Sequence, residues 1–394
     1  MSVFYEKRRI LVSCAKGVAP FLKPEIAALG FPVLAERETG IETEGTVKDA
    51  MKLNLFLRTA QRVLYEIEAF DARSPDEVYE TLVRLPWEEW IPADGYFTVA
   101  SFVKTATIRD TRFPNMKCKD AVVDRIREKC GRRPDSGNER DGAVVFLYWY
   151  DSDCRVYLDT SGESLSRRGY RRIPMEAPMQ ESLAAGVIAA TGWTGDTNFI
   201  NPMCGSGTLA IEAALIGLGR PPGLLRSRFA FMCLKGFDEA AWETLRAEAR
   251  RIPKKNMTGK IIANDNNPAA IEAAKQNAKT AGVDHVIEFS VCDFSDTPVP
   301  EGGVVVLNPE YGERMGNDKD LEPLYNRIGD FFKLRCQGHT GYVFTGNSAL
   351  GKRIGLRTSR KIQFFNGPIE CRLLVFQLYE GTKRQSKLRA VSPA

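Results

Sequence analysis

The sequence predicts an α/β protein in which a mostly parallel sheet follows a smaller α+β region. The chain has 394 residues, 43% of them hydrophobic, which is enough for two or three domains with cores of their own. After Asp159, strand-like runs alternate with amphipathic helical runs, as in parallel sheets covered by helices on both faces. Before Asp159, strands are grouped with helices on one face, which indicates small α+β units rather than a doubly wound sheet.

The first half contains five predicted strands and two predicted helices. The strands are Arg9–Ser13, Arg62–Phe70, Tyr96–Val103, Ala143–Tyr150 and Arg155–Leu158. The helices are Val18–Leu29, which ends at Gly30, and Lys117–Lys129, whose apolar residues recur at helical spacing.

The second half contains seven predicted strands. The first five are Asn198–Ile200, Lys260–Ala263, Val286–Ser290, Val304–Leu307 and Gly341–Thr345, and the helices between them are Thr208–Gly217, Pro268–Ala281 and Asp320–Leu334. The last two strands, Lys361–Phe365 and Arg372–Tyr379, flank an Asn-Gly-Pro turn, so we expect them to pair antiparallel at one edge. The basic, polar residues after Gly381 predict a disordered tail.

Charge and hydropathy limit the partners. The net charge is +5, and ten Lys/Arg face four Asp/Glu between Ser101 and Arg133. Such a segment attracts polyanions, although charge alone also fits an ordinary solvated surface. No apolar run approaches the ~20 residues that cross a bilayer, and the N-terminus has no signal-peptide pattern. We therefore expect a cytoplasmic protein without a membrane partner.

Cysteine spacing argues against a metal or disulfide framework. The nine cysteines form no C-x-x-C pair, and His285 and His339 are the only histidines. Reduced thiols and no metal are therefore expected.

A glycine-rich turn follows the first strand of the second half. The segment Asn201–Thr208 contains Pro202, Cys204, Gly205 and Gly207. Glycines let a ligand approach the backbone at the carboxyl end of a strand, where doubly wound sheets bind nucleotides. The turn lacks the lysine of a phosphate-binding loop and the three-glycine spacing of the dinucleotide fingerprint, so a purely structural turn remains an alternative.

Acidic residues end the next two strands. A carboxylate at Asp265 can accept hydrogen bonds from both ribose hydroxyls of an adenosine. Asp293 can accept a hydrogen bond from the adenine amino group while Phe294 flanks the adenine ring. One Asp at a strand end is more often a turn or a helix cap, but two behind a glycine turn favour a nucleoside site.

The segment Asn308–Arg314 follows the fourth strand. An exocyclic amine is a poor nucleophile because its lone pair is delocalised into the ring. The side-chain oxygen of Asn308 and the carbonyl of Pro309 can accept its two protons and turn the lone pair toward a methyl group, while Tyr311 stacks on a base removed from its helix. The alternative is an Asn-Pro turn that only closes a strand.

These segments resemble the class I amino methyltransferases of nucleic acids. The likeness is strongest to the THUMP-containing RNA guanine-N2 methyltransferases, such as the bacterial large-subunit rRNA enzyme, and it covers nearly the whole chain. Leu158–Arg171 and Ala177–Leu183 resemble the segments that follow the THUMP domain, and Lys119–Asp124 resembles a THUMP helix. Asn201–Thr208 resembles the cofactor turn and Asn308–Arg314 the catalytic turn.

The resemblance implies a domain order. A ferredoxin-like piece over residues 1–45 and a THUMP RNA-binding domain over residues 46–160, which shares part of the ferredoxin-like region, would come first. A Rossmann-like methyltransferase domain with a mostly parallel seven-stranded sheet would span residues 161–385, and a basic tail residues 386–394.

The resemblance also implies a cofactor, a partner and a site. The cofactor would be S-adenosylmethionine, and the partner RNA, above all 23S rRNA or a precursor particle. The implied cofactor-binding residues are Asn201, Pro202, Cys204, Gly205, Gly207, Thr208, Asp265, Asn266, Asp293, Phe294 and Asn308. The implied catalytic residues are Asn308, Pro309 and Tyr311. The implied substrate-binding residues are Arg168, Tyr170, Arg171, Glu310 and Arg314.

Two positions depart from the family pattern. The cofactor turn usually begins with Asp, where this chain has Asn201, which can act only through its amide. The catalytic turn usually has a second proline, where this chain has Glu310. That carboxylate faces solvent or accepts a hydrogen bond from the guanine ring N1–H.

The expected reaction is in-line methylation of guanosine N2, in which positioning supplies most of the acceleration, on a base in a loop or flipped out of a helix. The alternatives are methylation of a tRNA guanine, methylation of adenine N6 in DNA, and a decayed enzyme that serves as an RNA-binding or ribosome assembly factor. A nicotinamide-dependent oxidoreductase would share the sheet but not the Asn-Pro-x-Tyr turn. The sequence indicates no oligomeric state.

Overall fold

The computed structural model describes residues 2–106, 108, 110, 112–173, 179–311 and 318–379, with the side chains of 318–320 excepted. The chain forms two compact units that interleave along the sequence. Unit 1 consists of Met1–Cys14, Leu22–Arg167 and Pro221–Arg251, and unit 2 of Ala15–Phe21, Arg168–Arg220 and Ile252–Ala394. The sequence predicts one boundary between the two halves, near Asp159, and does not predict that each unit contains three separate segments. Within the described ranges, no helix is long and apolar enough to span a membrane.

The described residues contain strands and helices in the following order. The strands are β1 (Arg8–Cys14), β2 (Ala35–Arg37), β3 (Gly40–Gly45), β4 (Ala60–Asp71), β5 (Tyr96–Lys104), β6 (Asp135–Ser136), β7 (Ala143–Tyr150), β8 (Asp153–Asp159), β9 (Asn198–Pro202), β10 (Ile261–Asp265), β11 (Ile287–Val291), β12 (Gly303–Leu307), β13 (Thr340–Thr345), β14 (Arg360–Asn366) and β15 (Ile369–Gln377). The helices are α1 (Ala19–Ala28), α2 (Val47–Phe56), α3 (Pro75–Leu82), α4 (Trp87–Trp90), α5 (Arg112–Cys130), α6 (Glu181–Thr191), α7 (Thr208–Gly217), α8 (Glu239–Ala249), α9 (Pro268–Ala281), α10 (Asp318–Arg335) and α11 (Ser348–Arg353).

Unit 1 is built on one continuous sheet of eight strands in the order β2-β3-β1-β4-β8-β7-β5-β6. The strands β2-β3-β1-β4 and the strands β8-β7-β5-β6 form one sheet because β4 pairs antiparallel with β8, from Asp71 opposite Asp153 to Leu64 opposite Asp159. Side chains alternate across β7, so that Leu147 is fully buried while its neighbours Phe146 and Tyr148 are half-buried. The predicted α+β units therefore share a single sheet.

Unit 2 contains the predicted mostly parallel sheet of seven strands, in the order β11-β10-β9-β12-β13-β15-β14. Five strands are parallel neighbours, and β15 pairs antiparallel with both β13 and β14. The prediction of an antiparallel pair at one edge is confirmed. One face of β12 packs on α10, where Val305, Leu307, Tyr325 and Ile328 are buried together.

Local signals determine the bounds of α9, which agree with the prediction to the residue. The side chain of Asn267 accepts a hydrogen bond from the Ala269 N–H at 2.9 Å, and Pro268 occupies the first turn. Gly282 ends the helix with a φ of +66°, in the left-handed region that favours glycine.

Among the described residues no cysteine forms a disulfide, and no cluster of three or more His, Cys, Asp or Glu is arranged to hold a metal ion. The predicted tail over residues 386–394 lies outside the described residues.

Candidate active site

The turns that follow β9, β10 and β11 lie side by side at the carboxyl edge of the unit 2 sheet. Backbone hydrogen bonds connect them: the Cys204 N–H donates to the Asn264 carbonyl at 3.0 Å, and the Cys292 N–H donates to the Asp265 carbonyl at 3.1 Å. The buried Asn264 side chain adds a hydrogen bond from Thr297 to its Oδ1 at 2.8 Å. The candidate cofactor residues after three strands therefore form one edge, as the sequence predicts.

The glycine turn has three residues in the left-handed region. Gly205 and Gly207 have φ of +52° and +83°, and Met203, which is not glycine, has φ of +56°. A Cβ on Gly207 would lie 3.0 Å from the Cβ of Ala274 on α9, whereas a Cβ on Gly205 would meet no atom within 4 Å. Gly207 therefore allows two helices to approach, and Gly205 leaves space above the turn.

Asn201 is fully buried at the end of β9. Its Nδ2 donates to the Val306 carbonyl of β12 at 2.8 Å, and its Oδ1 has no hydrogen-bond partner among the described residues. The amide therefore connects two neighbouring strands and keeps one buried acceptor without a partner among the described residues.

Asp265 organises the glycine turn. Its Oδ2 accepts from the Gly205 N–H at 3.0 Å, and its Oδ1 accepts from the Asn267 N–H at 3.0 Å. The side chain is half-buried, and each oxygen keeps a second lone pair for a hydroxyl donor. The neighbouring Asn266 is exposed.

Asp293 is an ionised carboxylate at this edge. Desolvation raises its pKa, but hydrogen bonds from Arg327 at 2.6 Å and from Ser295 outweigh it and lower the pKa to about 2. These bonds all end on Oδ1, so Oδ2 is the candidate acceptor for an adenine amino group.

The structure contradicts the prediction that Phe294 flanks the adenine ring. Phe294 is only 4% exposed, packs edge-on against Phe331 at 5.8 Å, and has the Arg327 guanidinium over its face at 4.8 Å. Because the ring is buried in the hydrophobic core and the Arg327 guanidinium covers one of its faces, Phe294 is a core residue of unit 2.

The predicted catalytic turn follows β12. The Oδ1 of Asn308 is buried and has no hydrogen-bond partner among the described residues. Pro309 is buried and Glu310 is exposed. The Tyr311 hydroxyl accepts from Asn366 Nδ2 at 2.9 Å, and its ring lies edge-on to Phe344 at 6.4 Å. The turn thus directs an amide oxygen and an aromatic ring to the same edge of the sheet.

A buried tyrosine fixes the backbone of this turn. The hydroxyl of Tyr325 on α10 donates to the Glu310 carbonyl at 3.1 Å and lies 2.9 Å from Thr345 Oγ1. Burial raises the pKa of Tyr325, so the hydroxyl stays a donor over the ordinary pH range. Nothing in the local sequence around Tyr325 or Asn366 predicts this role, because their partners lie far away along the chain.

The structure does not support direct substrate contact by Arg168 or Tyr170. Each is 1% exposed, and both side chains bind the buried carboxylate of Glu212 on α7, with the Tyr170 hydroxyl donating at 3.2 Å. They therefore anchor their segment to the helix behind the glycine turn. A carboxylate inside an otherwise apolar helix is the sequence signal that could have indicated this pairing.

Arg171 lies closer to the cofactor turn. Its guanidinium donates to the Met179 carbonyl at 2.8 Å and to the Thr208 hydroxyl at 3.2 Å, while its Nε has no partner among the described residues. Burial raises the pKa of the Cys204 thiol far above its usual range, so this residue is not a thiolate nucleophile. Pro202 is buried, and Arg314 lies outside the described residues.

The edge fits S-adenosylmethionine. Its adenosine carries two ribose hydroxyls and an amino group, all donors, and Asp265 and Asp293 are acceptors in neighbouring turns. Gly205 leaves room for a ligand beside the backbone.

Comparison with protein families matches three consecutive models. Residues 9–64 match the RlmL ferredoxin-like domain, residues 72–159 the THUMP domain, and residues 168–374 the RMKL-like methyltransferase domain. The predicted ferredoxin-like, THUMP and methyltransferase modules are thereby confirmed.

Curated relatives agree with these models. The chain is 38% identical over 384 residues to the ribosomal RNA large subunit methyltransferase K/L of Syntrophotalea carbinolica, covering 94% of this chain and 54% of the relative. It is 31% identical over 373 residues to a Synechocystis protein named as an RNA methyltransferase, covering 94% of this chain and 97% of that protein. The chain thus spans about half the length of the K/L relatives.

Solved structures share the whole architecture. A protein named as a methyltransferase and crystallised with S-adenosylhomocysteine is 28% identical, with a TM-score of 0.86 over 96% of this chain and 100% of that one. A Listeria monocytogenes protein named as an N6-adenine-specific DNA methylase is 30% identical, with a TM-score of 0.84 over 96% of this chain and 97% of that one. With a glycine turn and two strand-end carboxylates on the same edge, the chain belongs to the family of RMKL-like methyltransferase domains, and its cofactor is S-adenosylmethionine.

Proposed function

We propose that this protein methylates the exocyclic N2 amine of a guanosine in RNA, and that the RNA is large-subunit ribosomal RNA. The observation that carries the proposal is the Oδ1 of Asn308, a buried acceptor without a partner among the described residues at the end of β12. A buried amide oxygen left unpaired costs about 1–3 kcal/mol, and an amine donor from a substrate would recover that cost.

The target amine would donate one N–H to Asn308 Oδ1 and the other to the Pro309 carbonyl. Two such bonds hold the amine hydrogens to one side, so that the nitrogen lone pair points out of the ring plane. Tyr311 would stack on the flipped base, with its ring orientation held through Asn366. Catalysis at this turn would therefore come mostly from orientation.

Bound S-adenosylmethionine supplies an electrophilic methyl group on a sulfonium. In this proposal Asp265 holds the ribose hydroxyls, Asp293 Oδ2 accepts the adenine amino group, and the Gly205–Gly207 turn receives the methionine portion. The amine nitrogen bonds to the methyl carbon as the carbon–sulfur bond breaks and its electron pair stays on sulfur. The nitrogen then loses one proton to water.

Glu310 favours guanine over adenine. Its side chain is exposed next to Asn308 and Pro309, where a carboxylate can accept the N1–H of guanine. Adenine presents a lone pair at N1, which a carboxylate would repel. This argument opposes methylation of adenine N6 in DNA, the activity for which the Listeria protein is named.

RNA as the partner rests on the N-terminal half and on the relatives. The THUMP model matches residues 72–159, and the relatives carry names of ribosomal RNA large subunit methyltransferases. The basic stretch between Ser101 and Arg133 lies within the THUMP match. Together these support a polyanionic RNA substrate.

The test is methyl transfer from labelled S-adenosylmethionine to total RNA of a strain that lacks the protein, with the labelled nucleoside identified by mass. We expect N2-methylguanosine in large-subunit rRNA. Asn308→Ala should lower kcat by about 100-fold or more, by analogy with removal of one oriented hydrogen-bonding group, while cofactor affinity stays within a few-fold.

Three results would contradict the proposal in different ways. N2-methylguanosine in tRNA would change the substrate, and N6-methyladenine in DNA would change both the base and the polymer. Cofactor binding without any transfer would indicate a decayed enzyme that acts as an RNA-binding or assembly factor, for which the departures at Asn201 and Glu310 would be responsible.

A further inference from the structure

A cavity of about 370 Å³ lies in unit 2 beside the catalytic turn. It is lined by residues from the end of β13, from α11 and from the β14–β15 hairpin. The residues that matter here are Gly346, Lys352, Lys361, Glu370, Arg372 and Leu374. None of them has a part in the cofactor edge described above.

The cavity adjoins the residues that would hold the target base. A Cβ on Gly346 would lie only 2.8 Å from the ring of Tyr311, so this wall of the cavity is also the support of that ring. Thr345, another lining residue, lies 2.9 Å from the Tyr325 hydroxyl, which holds the backbone of Glu310.

Strand order places the cavity on the side of the catalytic turn away from the cofactor. The candidate cofactor residues follow β9, β10 and β11, the catalytic turn follows β12, and the cavity adjoins β13, β15 and β14, which come next across the sheet. A polynucleotide whose target base lies at the β12 turn can therefore continue over β13 and β15 without crossing the cofactor.

The cavity wall is cationic. Lys352, Lys361 and Arg372 stand against a single carboxylate, Glu370. Glu370 is already paired, because its Oε1 accepts from Arg372 at 3.1 Å and from Gln363 at 2.9 Å. Within the described residues neither lysine has an ion pair, so both charges are available for an anion.

The floor of the cavity is apolar and closely packed. A Cβ on Gly351 would lie 2.8 Å from a methyl carbon of Leu374, so α11 rests directly on β15. A volume of about 370 Å³ lies within the range of small-ligand sites, and an apolar floor with a cationic rim matches a sugar or base with its phosphate.

We infer that this cavity binds the nucleotide adjacent to the target nucleotide, with its phosphodiester held between Lys352 and Lys361. The inference rests on the proposed function, since it assigns the path of the same RNA. Binding a neighbouring nucleotide here would keep the target base extended over Tyr311 and would add affinity that does not depend on sequence.

The experiment compares two double variants with the same loss of charge. Lys352→Ala with Lys361→Ala removes the proposed phosphate contact, whereas Lys275→Ala with Lys279→Ala removes two exposed lysines from α9. Equilibrium binding to 23S rRNA from a strain lacking the protein is measured over a series of salt concentrations. Affinity for S-adenosylhomocysteine and the melting temperature are measured for every variant as a check on folding.

The cavity variant should bind the RNA about 10-fold more weakly at 0.1 M salt, and the slope of log affinity against log salt should fall by roughly 0.7 for each lost phosphate contact. The α9 variant should bind like the wild type, and Lys352→Arg with Lys361→Arg should retain most of the affinity. Cofactor affinity should be unchanged throughout.

The inference would be overturned if the cavity and α9 variants lowered RNA affinity equally, or if neither variant changed it. If the variants bind RNA as expected but the wild-type protein forms no N2-methylguanosine, the proposed reaction is refuted while the cavity is supported as a nucleotide site. A wild-type protein that does not bind the RNA at all would overturn both.

Discussion

At the residue scale, the candidate site combines acceptors without partners and backbone in unfavourable conformations. The Oδ1 atoms of Asn201 and Asn308 are buried without partners among the described residues. Met203 has a φ of +56°, which costs an ordinary residue about 1–2 kcal/mol. Such costs are tolerated where a ligand recovers them, and they occur here at the ends of the two strands that flank the proposed reaction centre.

The two glycines of the cofactor turn offer a matched pair of substitutions. Both have positive φ, so Ala at either should cost about 1 kcal/mol through the backbone. Gly207→Ala should lower the free energy of unfolding by roughly 1–2 kcal/mol more, because its Cβ would lie too close to the Cβ of Ala274. Gly205→Ala should instead lower cofactor affinity at least 10-fold, because the methyl group enters the open space above the turn.

Urea unfolding and titration with S-adenosylhomocysteine measure the two effects separately. If Gly205→Ala binds the cofactor as tightly as the wild type, the ligand does not approach the turn at that position.

Single side chains also show what the sequence could predict about the site. Asp265, Asp293 and Asn308 follow recognisable strands, so their common edge follows from the regular geometry of parallel sheets. Phe294 and Arg168 lie next to site motifs and have side chains that could bind a ligand. In the structure, however, Phe294 is buried in the core and Arg168 pairs with the buried Glu212. Their burial depends on residues distant in sequence, which no local pattern reveals.

At the scale of elements, α10 is the support of the catalytic edge. It provides Tyr325 to the turn after β12 and Arg327 to the turn after β11. These residues are separated by one position, so one helix reaches the turns after β11 and β12, which follow each other along the chain although β10 and β9 lie between them in the sheet. The sequence predicts the helix from its periodicity but not which of its polar groups are shared with the site.

Removing the Tyr325 hydroxyl should affect catalysis more than stability. Tyr325→Phe loses the bond to the Glu310 carbonyl, so we expect kcat to fall about 10-fold and unfolding free energy to fall by about 1 kcal/mol. Tyr342→Phe is the matched control, since its buried hydroxyl donates to the Thr191 carbonyl at 3.3 Å, away from the turn. Both variants should lose similar stability, and equal values of kcat would show that the turn needs no such support.

The Asp293–Arg327 pair should make stability depend on pH in acid. The pKa of Asp293 is lowered from its ordinary value to about 2, so its stabilising contribution is fully present above about pH 4 and is lost as the pH falls toward 2. In Arg327→Gln the pKa of Asp293 should rise. The variant should therefore be less stable than the wild type at pH 7, and the two should converge near pH 2.

Urea unfolding at pH 7, 4 and 2.5 measures this difference, with Lys333→Gln as a variant that removes a charge from α10 without touching Asp293. The Arg327 side chain is about half exposed, so added salt should reduce the effect. A constant difference at all three pH values would mean that Arg327 acts through packing over Phe294.

Elements differ in how well the sequence predicts them. Helices α7 and α9 agree with the predicted bounds, and α9 also has a side-chain cap at its start and a glycine at its end. The local patterns of the sequence did not predict β2, β3, β6, α2, α3, α4, α6, α8 and α11. Strand β3 reads Gly-Ile-Glu-Thr-Glu-Gly and is nonetheless mostly buried, and it pairs antiparallel with β1 at one edge and β2 at the other. Tertiary pairing rather than local propensity therefore defines it.

At the scale of the whole molecule, the interleaving of the two units is the feature that sequence patterns did not predict. The segment Pro221–Arg251 lies in the methyltransferase half of the chain but belongs to unit 1. Its Phe231 N–H donates to the Thr160 carbonyl at 3.1 Å, and its Arg226 donates to carbonyls of the loop that follows β8, including those of Ser161 and Glu163. A domain boundary drawn by position alone would cut unit 1.

A fragment of residues 1–167 should therefore be poorly stable. It lacks Phe229, Phe231 and Trp242, which are almost fully buried in unit 1. Loss of one such buried aromatic side chain lowers the free energy of unfolding by about 3–5 kcal/mol. The same fragment joined to residues 221–251 by a flexible linker should unfold cooperatively and at least 10 °C higher, as measured by circular dichroism. Equal melting temperatures would show that the segment is dispensable for unit 1.

The interleaving also sets an order of events on the ribosome. When residue 167 has been synthesised, unit 1 still lacks the segment that covers Leu55 and Trp90, and it must wait for residue 251. At ordinary elongation rates that delay is on the order of ten seconds, far longer than hydrophobic collapse takes. The nascent chain therefore passes through a stage with an uncovered apolar surface, and this stage is where a chaperone would be needed most.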